Sequence, residues 1–563
     1  MKFCITLLSI ITLLSSCATE KKETGPSDNI RLNQVGYYPN ATKEFVAVGV
    51  EKGKFEVVDD LDNVVLSGDL VAKGEWELSG ESVSMGDFSK LQAPGNYRIV
   101  IDNNMVSYPF EVRPGIYDAP LKAAIKSYYF QRASMAIAAE YGGDYARAAG
   151  HPDDQCTYHP SSGTSDGARN APGGWYDAGD YGKYVVNAAF SVGQMLNLLE
   201  KYPAAVPDGA LNIPESGNGT NDLMDELKYE LDWLMTMQDD DGGVFFKLTA
   251  KTFSGFVMPE AYDLERFIIG KSTTSSLDFA AVMAQASRVF KNADPEWSAT
   301  SLAAAQNAWT WVQNHPDEPF KNPVDVVTGE YGDTEFSDDF YWAATELYLT
   351  TGEDYYLQYL LSNEEPVEHQ LTNSWKFFVR NNAFHSLLEH LDVIDEGLSE
   401  RTKNGQIKLA DDILAKISVN PYHIGLGVYE WGSNSDVLNQ ALILCHAHSL
   451  TGDEKYLQGV DRTVDYIFGK NGLGYSFLTG FGDKQVMFPH HRPSGADGIT
   501  APVPGFILGG PNGDKQDAEH VQYRFDEPAR SFEDVEASYA SNEVCINWNA
   551  PAVYVLAYIE QVR

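Results

Sequence analysis

The chain has 563 residues, which is long for one hydrophobic core and favours more than one domain. Its 80 acidic residues outnumber its 41 basic residues and give a net charge of −39. This excess of negative charge argues against binding to nucleic acid or to an anionic membrane surface, and it is compatible with an uncharged substrate.

The first residues have the pattern of an export signal. Lys2 precedes an apolar run over residues 3–14, which is shorter than the roughly 20 residues of a membrane-spanning helix but suits a signal peptide. The sequence LSSC at 14–17 resembles a bacterial lipobox, which predicts that residues 1–16 are removed and that Cys17 is acylated. An ordinary signal peptide with a chance cysteine is the alternative. We expect an exported lipoprotein of the cell envelope, on its periplasmic or outer face, with residues 17–28 as a polar tether.

Residues 29–114 have the pattern of a β-sandwich. The runs FVAVGV, KFEVVD, NVVLSG, GNYRIVI and VSYPFEV are rich in β-branched and aromatic residues, and clusters of Gly, Pro, Asn and Asp separate them. Several short strands at such close spacing predict two packed antiparallel sheets. The region contains no histidine and no concentrated acidic cluster, so we expect it to support or position another domain.

Residues 115–563 have the pattern of amphipathic helices. Leu223, Leu227, Leu231 and Leu234 recur at steps of four, four and three, which places them on one face of a helix. The segments TGEDYYLQ at 351–358 and TGDEKYLQ at 451–458 repeat a helix, tight turn and helix, which predicts a closed α/α barrel. A bundle or an open solenoid is the competing interpretation. Helical segments are predicted to begin near residues 120, 183, 221, 274, 298, 335, 353, 370, 407, 434, 453 and 549.

Three loops rich in glycine, proline and aromatic residues contain the candidate reactive side chains. They are GGWYDAGDYGKY at 173–184, YSFLTGFGDKQVMFPHHRPSG at 475–495 and ARSFEDVEASYASNEVCINWNAP at 529–551. Hydrolysis of a glycosidic bond requires one carboxylic acid that protonates the leaving oxygen and one carboxylate on the other side of the sugar. Asp180 and Glu543 are the candidates, because a closed ring brings the two ends of the domain together. Burial of Glu543 among apolar and amide neighbours would raise its pKa and keep it protonated.

The same loops closely resemble the active-site motifs of glycoside hydrolase family 9, a cellulase family with an (α/α)6 barrel. The resemblance implies that Asp180 is the catalytic base, that Asp177 assists it and that Glu543 is the proton donor. Further catalytic residues implied by the motifs are Asp534 and His490, and the implied substrate-binding residues are Trp175, Trp431, His491, Arg492 and Tyr539. Cys545 departs from the family pattern, which has Ser, Thr or Ala there, and we expect little consequence because cysteine is also small.

The resemblance also covers the N-terminal region. The stretch IRLNQVGYYPNATKEFVAV at 30–48 is similar to the start of the immunoglobulin-like module that precedes many of these catalytic domains. The predicted fold is therefore multidomain: an all-β immunoglobulin-like sandwich over 29–114 followed by an all-α (α/α)6 barrel over 115–563.

The resemblance implies an inverting endo-β-1,4-glucanase that acts on cellulose-like glucan, mixed-linkage glucan or xyloglucan. In an inverting enzyme the two carboxyl groups lie ~6.5–9.5 Å apart, which leaves room for the attacking water. An exo-acting β-glucosidase or glucosaminidase on the same scaffold is one alternative, and a non-catalytic surface glycan-binding protein is another. We expect a monomer that binds no nucleic acid and meets the membrane only through its lipid.

The chemistry requires no cofactor, but the family implies structural metals. Asp338 and Asp339 in EFSDDFYW resemble a calcium-binding stretch, although acids at a helix N-terminus are the simpler interpretation. His151, Cys156 and His159 lie where some relatives hold zinc. We do not expect zinc here, since Gly150 stands in place of a fourth ligand and structural zinc requires four.

Overall fold

The computed structural model describes residues 25–102, 104–164, 167–367 and 379–563. The predicted signal peptide, the acylated Cys17 and most of the predicted tether lie outside these ranges. No helix within them combines the length and the apolar character needed to cross a membrane.

The N-terminal region is a β-sandwich, as predicted. One sheet has the strand order β1-β2-β6-β5, and the facing sheet has the order β4-β3-β7-β8 with β9 also paired to β7. Phe45, Phe55 and Ile99 are fully buried between the sheets. The sequence pattern missed β5, whose residues are mostly exposed, and β6, whose sequence ESVSMGD is largely polar. The strands are β1 Ile30–Arg31, β2 Glu44–Val48, β3 Lys54–Asp59, β4 Val64–Asp69, β5 Val71–Trp76, β6 Glu81–Asp87, β7 Gly95–Ile101, β8 Met105–Val106 and β9 Phe110–Val112.

The rest of the described chain is mainly helical. The helices are α1 Asp118–Gln131, α2 Ala139–Gly142, α3 Val185–Lys201, α4 Asp222–Thr236, α5 Thr273–Phe290, α6 Pro295–Asn314, α7 Ser337–Thr351, α8 Asp354–Ser362, α9 Arg380–Leu388, α10 Glu396–Val419, α11 Ser433–Thr451, α12 Glu454–Ile467, α13 Arg492–Ala496 and α14 Ile546–Val562. Most begin within a few residues of the predicted positions.

Two predicted helix starts differ from the structure or lie outside it. The helix predicted from residue 407 begins earlier, at Glu396, because the Asp395 side chain caps it by accepting a hydrogen bond from Leu398 N at 3.0 Å. The helix start predicted near residue 370 falls outside the described residues, which resume at Val379 just before α9.

The helices form a ring that closes between its first and last inner members. Helices α3, α5, α7, α9, α11 and α14 are buried around most of their circumference, as expected for the inner layer of a barrel. Helix α3 contacts α5, α5 contacts α7, and α7 contacts α9. The ring continues from α9 to α10, from α10 to α11 and from α11 to α14. Helix α14 also packs on α3. The loops that precede α3 and α14 therefore meet, although their sequences lie far apart.

A small sheet lies beside the loop that precedes α3, and the sequence pattern did not predict it. Its strands are β10 Cys156–Tyr158, β11 Ala168–Arg169, β12 Lys183–Tyr184, β13 Phe245–Thr249 and β14 Phe267–Lys271, in the order β11-β10-β14-β13-β12. Strand β12 directly follows the Asp177–Asp180 loop, and its Tyr184 pairs with Lys247 of β13. The sheet thus fixes the C-terminal end of that loop.

The sandwich packs on the barrel through buried charged groups. Arg31 donates to both carboxylate oxygens of Glu81, at 2.9 and 2.7 Å, and its Nη1 also reaches the Tyr422 hydroxyl at 2.9 Å. Glu44 accepts from His423 at 2.8 Å and forms an ion pair with Arg462 at 3.1 Å. These contacts join the two domains through polar groups that are mutually satisfied.

Candidate active site

A cavity of about 720 Å³ opens where the inner helices begin. Each loop that leads into α3, α7, α11 or α14 contributes lining residues, so the N-terminal ends of these helices share one mouth. The lining residues are Asp177, Ala178, Asp180, Tyr184, Phe253, Gly329, Glu330, Tyr331, Trp431, His490, Arg492, Tyr539, Glu543, Cys545, Asn547 and Trp548.

Asp180 and Glu543 face the same cavity, although they lie near opposite ends of the helical domain in the sequence. Backbone contacts hold their loops together: Ala178 pairs with Cys545 in an antiparallel bridge, and Ile546 N donates to Asp177 O at 2.9 Å. A parallel bridge between His490 and Glu543 adds the third predicted loop to the assembly. The three loops therefore form one unit at the mouth.

Glu543 has the electrostatic surroundings of an acid that keeps its proton. Burial is the largest cause that raises its pKa well above the usual range, and the negative charge of Asp180 raises it further. The positive charge of Arg492 opposes this shift. Because the side chain is still partly exposed to the cavity, a protonated Glu543 can deliver its proton to a bound molecule.

Asp177 is buried behind Asp180 and is held by three donors. Its Oδ2 accepts from the Tyr331 hydroxyl at 2.6 Å, its Oδ1 accepts from Asn187 Nδ2 at 2.7 Å, and the Cys545 thiol lies 3.9 Å from Oδ2. Burial raises the pKa of Asp177 to about 7, the hydrogen bonds from Tyr331 and Asn187 oppose the shift, and the charge of Asp180 adds to it. These surroundings suit a carboxyl that orients its neighbours.

The Asp180 carboxylate has fewer hydrogen-bond donors around it than the Asp177 carboxyl has. Its Oδ2 accepts from Gly182 N at 3.1 Å, which fixes the side chain within its own loop. Gly179 beside it must be glycine, since a Cβ there would lie 2.0 Å from the carbonyl oxygen of His490. The close approach of these two loops therefore sets the position of Asp180 at the cavity.

His490 and Arg492 lie on the cavity wall beside the two acids. His490 Nδ1 donates to the Glu536 carbonyl at 2.6 Å, which leaves Nε2 of the neutral ring as an acceptor. Burial lowers the pKa of His490 to about 4, so the ring is neutral at neutral pH. Arg492 donates through Nη1 to Gly179 O at 2.9 Å and through Nη2 to Ser254 O at 3.0 Å. Arg492 thus ties two cavity loops together and keeps a cation near Glu543.

Asp534 lies behind the cavity wall and does not line it. Its carboxylate accepts hydrogen bonds from the backbone N–H groups of Met487 at 2.9 Å and Phe488 at 2.8 Å. The sequence-based expectation of a catalytic role is therefore corrected to a positioning role, because Asp534 orients the segment that leads to His490.

Two predicted substrate-binding residues are buried away from the cavity. Trp175 is 1% exposed, donates from its indole to Glu226 at 2.8 Å and packs against Tyr128. His491 is 1% exposed and lies 3.2 Å from Gln131 Oε1. Neither side chain can touch a substrate, so both predictions are corrected. The alternating direction of side chains along an extended segment explains the outcome for His491, which points inward while His490 faces the cavity.

Aromatic rings line the cavity on more than one wall. Trp431 is 42% exposed and its ring centroid lies 5.6 Å from that of Tyr539, so these two predicted binding residues form one surface. On another wall Phe253 is 48% exposed and lies beside Arg492. Such exposed rings are suited to stacking on apolar sugar faces.

Sequence reasoning did not single out several residues of the site. Tyr331, Asn187, Phe253 and Glu330 are the clearest cases, since the first two hold Asp177 and the last two line the cavity. Asn187 lies ten residues after Asp177, inside α3, where it reads as an ordinary helix residue. Tyr331 lies in a long loop without a local motif. Only their spatial contacts reveal their place.

The predicted calcium candidates lie at the start of α7. Asp338 Oδ2 accepts from Val379 N at 2.9 Å, while the carboxyl of Asp339 lies against that of Asp278 on α5. Burial holds the pKa values of Asp278 and Asp339 well above the usual range. Oxygen-only ligands suit calcium, yet the described residues contain no group of three or more His, Cys, Asp or Glu side chains arranged around a metal. Calcium at Asp338 and Asp339 stays a prediction.

The residues considered for zinc each have another partner. His151 Nδ1 lies 2.7 Å from the Tyr176 hydroxyl, Cys156 Sγ lies 3.7 Å from Asp153, and His159 Nε2 lies 3.2 Å from Asp325. These pairings connect the loops around β10 to their neighbours.

The arrangement can protonate an oxygen on one side of a bound sugar and activate water on the other. A protonated Glu543 and the carboxylate of Asp180, at one cavity with aromatic walls, define the chemistry of a glycoside hydrolase. The chain belongs to that class and specifically to glycosyl hydrolase family 9, whose family model matches residues 117–556. The cellulase N-terminal immunoglobulin-like domain matches residues 25–105.

Individual relatives agree with this assignment. The chain is 38% identical over 584 aligned positions to the xyloglucan-specific endo-beta-1,4-glucanase BoGH9A of Bacteroides ovatus, covering 99% of this chain and 98% of that protein. It is 32% identical to endoglucanase D of Acetivibrio thermocellus, covering 94% of this chain and 83% of that protein. A solved structure described as Bacteroides ovatus GH9 superposes with a TM-score of 0.88 at 36% identity, covering 95% of this chain and 99% of that one.

Proposed function

We propose that the protein is an inverting endo-β-1,4-glucanase that hydrolyses β-glucans, with Asp180 as base and Glu543 as acid. The observation on which this rests is the convergence of these two carboxyls on one cavity from opposite ends of the catalytic domain. The family supports the reaction class. The names of the similar proteins favour an endo-acting glucanase over an exo-acting glucosidase or a non-catalytic binding protein.

The roles follow from the protonation states. Asp180 takes a proton from a water molecule as the water oxygen bonds to the anomeric carbon, and Glu543 gives its proton to the departing glycosidic oxygen. Attack on the face opposite the leaving group inverts the anomeric configuration. Asp177 holds the Asp180 loop in place, and its own bonds to Tyr331 and Asn187 keep it there. The neutral ring of His490 and the cation of Arg492 offer polar contacts to the sugar.

An open cleft supports internal cleavage of a polymer. A loop that closed one end of the cavity would favour exo action, and the long segment over residues 495–530 is the candidate for such a loop. None of its residues lines the cavity, and the structure describes the whole segment. Exposed rings at Phe253 and Trp431 provide stacking surfaces on separate walls. A glucan that stacks on both rings occupies more of the cavity than a single terminal sugar does, which favours endo action.

Xyloglucan is the substrate that we place first. The 38% identical relative that spans nearly the whole chain is named for xyloglucan specificity. Unbranched β-1,4-glucan and mixed-linkage glucan are the other candidates within the same reaction.

The test combines product analysis with removal of the acid. We expect the wild-type protein to reduce the viscosity of xyloglucan quickly and to release oligosaccharides early, whereas release of glucose alone would indicate exo action. Glu543→Gln should abolish turnover and leave binding of the polysaccharide largely intact, since the amide preserves size and cannot donate a carboxylic proton. Retained turnover in this variant would remove Glu543 from the mechanism.

The remaining expectations complete the proposal. Cleavage after residue 16 and acylation of Cys17 would anchor a monomer in the cell envelope, and loss of incorporated palmitate in Cys17→Ala would support this. Calcium at Asp338 and Asp339 would raise the melting temperature, and the increase would grow with the logarithm of the calcium concentration above the dissociation constant, as for any ligand of the folded state. A melting temperature that does not change between chelator and millimolar calcium contradicts the calcium proposal.

A further inference from the structure

Lys247 is a fully buried lysine whose ammonium binds the loop between α6 and α7. The side chain projects from β13, and its Nζ donates to Asn322 Oδ1 and Gly329 O, both at 2.7 Å, and to Thr328 Oγ1 at 3.2 Å. A buried ammonium is stable only where several acceptors replace its water shell. Here the acceptors all come from the segment 322–329, so one side chain fastens this segment to the small sheet.

The same loop continues directly into a residue of the active site. Tyr331 follows Gly329 by two positions and donates its hydroxyl to Asp177 at 2.6 Å. Its backbone has φ = +46°, a left-handed conformation that costs free energy in a residue with a bulky side chain. Neighbouring contacts must hold such a conformation in place. The Tyr331 ring also packs on Tyr184, which is the cross-strand partner of Lys247.

Polar contacts hold most of the outer part of this loop. Val324 is fully exposed and Val327 is mostly exposed, so the segment does not bury its apolar side chains there. Other contacts also hold the segment. Asp325 forms an ion pair with Lys251 and lies 3.2 Å from His159 Nε2, Val327 N donates to Lys251 O, and Thr328 Oγ1 lies 3.0 Å from Thr249 Oγ1. Val326 and Phe320 belong to a small apolar cluster. Among these contacts, the hydrogen bond from Lys247 to Gly329 O lies nearest to Tyr331 along the chain.

We propose that Lys247 is a positioning residue of the active site: its amine fixes segment 322–329 so that the Tyr331 hydroxyl stays on Asp177. The proposal rests on the proposed function, in which Asp177 supports the base Asp180. Lys247 itself touches no substrate, because its Nζ lies behind Gly329 and Tyr184 and the residue does not line the cavity.

The charged groups that face Lys247 are Asp180 and Glu330, and the ring of Tyr184 lies 5.5 Å from its Nζ. Burial lowers the pKa of Lys247 to about 7, while Asp180 and Glu330 act in the opposite direction. Either protonation state donates at least two hydrogen bonds. The hydrogen bonds from Lys247 to the loop therefore persist across neutral pH. A change of pH would not break them, so the test must use a substitution that removes the amine.

A matched control exists in the sandwich domain. Lys43 is also fully buried, and its Nζ donates to three backbone carbonyls, those of Tyr38 at 3.2 Å, Pro39 at 2.8 Å and Ala41 at 2.9 Å. Burial lowers its pKa to about 8, in the same direction as for Lys247. Lys43→Met thus removes a comparable buried amine without touching the active-site loop.

The experiment compares Lys247→Met and Lys43→Met with the wild-type protein. The substrate is the polysaccharide that the wild-type protein hydrolyses fastest. We expect Lys247→Met to lower kcat by about ten- to a hundredfold with KM nearly unchanged, because a displaced supporting group impairs the reacting geometry. Lys43→Met should retain the wild-type kcat. Thermal unfolding measured on both variants separates loss of fold from loss of position.

A double-mutant cycle with Tyr331→Phe identifies the route of the effect. If Lys247 acts through Tyr331, the double variant should be no slower than the slower single variant, whereas independent effects multiply. Should Lys247→Met fail to fold, Thr328→Val removes one acceptor and is expected to lower kcat less, in the same direction. Multiplying effects, or a wild-type kcat in either Lys247→Met or Thr328→Val, would overturn the inference while Glu543→Gln still reports on the proposed function.

Discussion

Among the buried carboxyls of the barrel whose pKa values are raised, two groups differ in their access to the active-site cavity. Asp177 and Glu543 both line the cavity at the mouth, and Tyr331 and Asn187 donate hydrogen bonds to Asp177. Asp278 and Asp339 lie between α5 and α7, where their carboxyls interact with each other and their oxygens have no other hydrogen-bond partner among the described residues. A raised pKa therefore marks burial in both places, and access to a cavity distinguishes the reactive group.

The strongest test of this contrast replaces one acid that lines the cavity and one that lies between α5 and α7. Asp180→Asn is expected to lower kcat by about 10²–10⁴-fold, since it removes the general base next to Glu543. Asp278→Asn should leave kcat within about twofold of wild type, because its carboxyl contacts no cavity. Initial rates on the preferred glucan measure both, and a large loss of activity in folded Asp278→Asn would contradict the distinction.

Removing a single donor from the mouth should have an intermediate effect. Tyr331→Phe deletes the 2.6 Å hydrogen bond to Asp177 and retains the ring that packs on Tyr184. We expect kcat to fall about tenfold, which corresponds to about 1.4 kcal/mol. The pH dependence of kcat/KM should change as well, because the bond from Tyr331 lowers the pKa of Asp177 in the wild-type protein. An unaltered rate and profile would show that Asp177 is held well enough by Asn187.

The enclosed pair should affect stability, and its effect should depend on pH. Burial raises the pKa of Asp278 in the folded state, so the folded protein retains a proton that the unfolded chain releases above its ordinary value of about 3.9. The free energy of unfolding contributed by this group therefore decreases as pH rises above that value. Asp278→Asn removes the titration, so its melting temperature relative to wild type should increase between pH 4 and pH 8, by about 1–3 °C. The measurement is made with chelator present, and a difference that shrinks with pH would contradict this sign.

The smallest effect is expected at Cys545. Its thiol is the most distant of the three donors to Asp177, at 3.9 Å, and it also accepts from Asn187 at 3.3 Å. Cys545→Ser supplies a stronger donor in a similar volume, and we expect kcat to stay within about threefold of wild type. Cys545→Val, which has no donor, is the matched comparison. A loss above tenfold in the serine variant would show that the thiol has a role of its own.

The sequence revealed the groups that are close in the chain better than those that meet only in space. The motifs around Asp180, His490 and Glu543 were recognisable because each is a compact loop, and all three line the cavity. Tyr331 and Lys247 could not be recognised, since their partners lie about 150 and 80 residues away along the chain. The predicted substrate-binding roles of Trp175 and His491 were wrong, because both side chains are buried. A sequence motif does not show which of its side chains point into the protein interior.

Secondary structure shows the same limit. Strong alternation or helical periodicity predicted the sandwich and most of the helices, whereas the short strands β10 to β14 have no periodic pattern long enough to recognise. Their pairing depends on loops that fold back from distant positions, as the parallel contact of β10 with β14 shows.

The closure of the ring between α3 and α14 has a consequence for synthesis of the enzyme. The proposed base, Asp180, is made early in the catalytic domain, but the proposed acid, Glu543, becomes available only when the segment leading into α14 has been translated and docked. A ribosome-bound or truncated chain that lacks α14 thus possesses half of the catalytic pair. Hydrolysis by this pair therefore requires that α14 has been synthesised and has packed on α3.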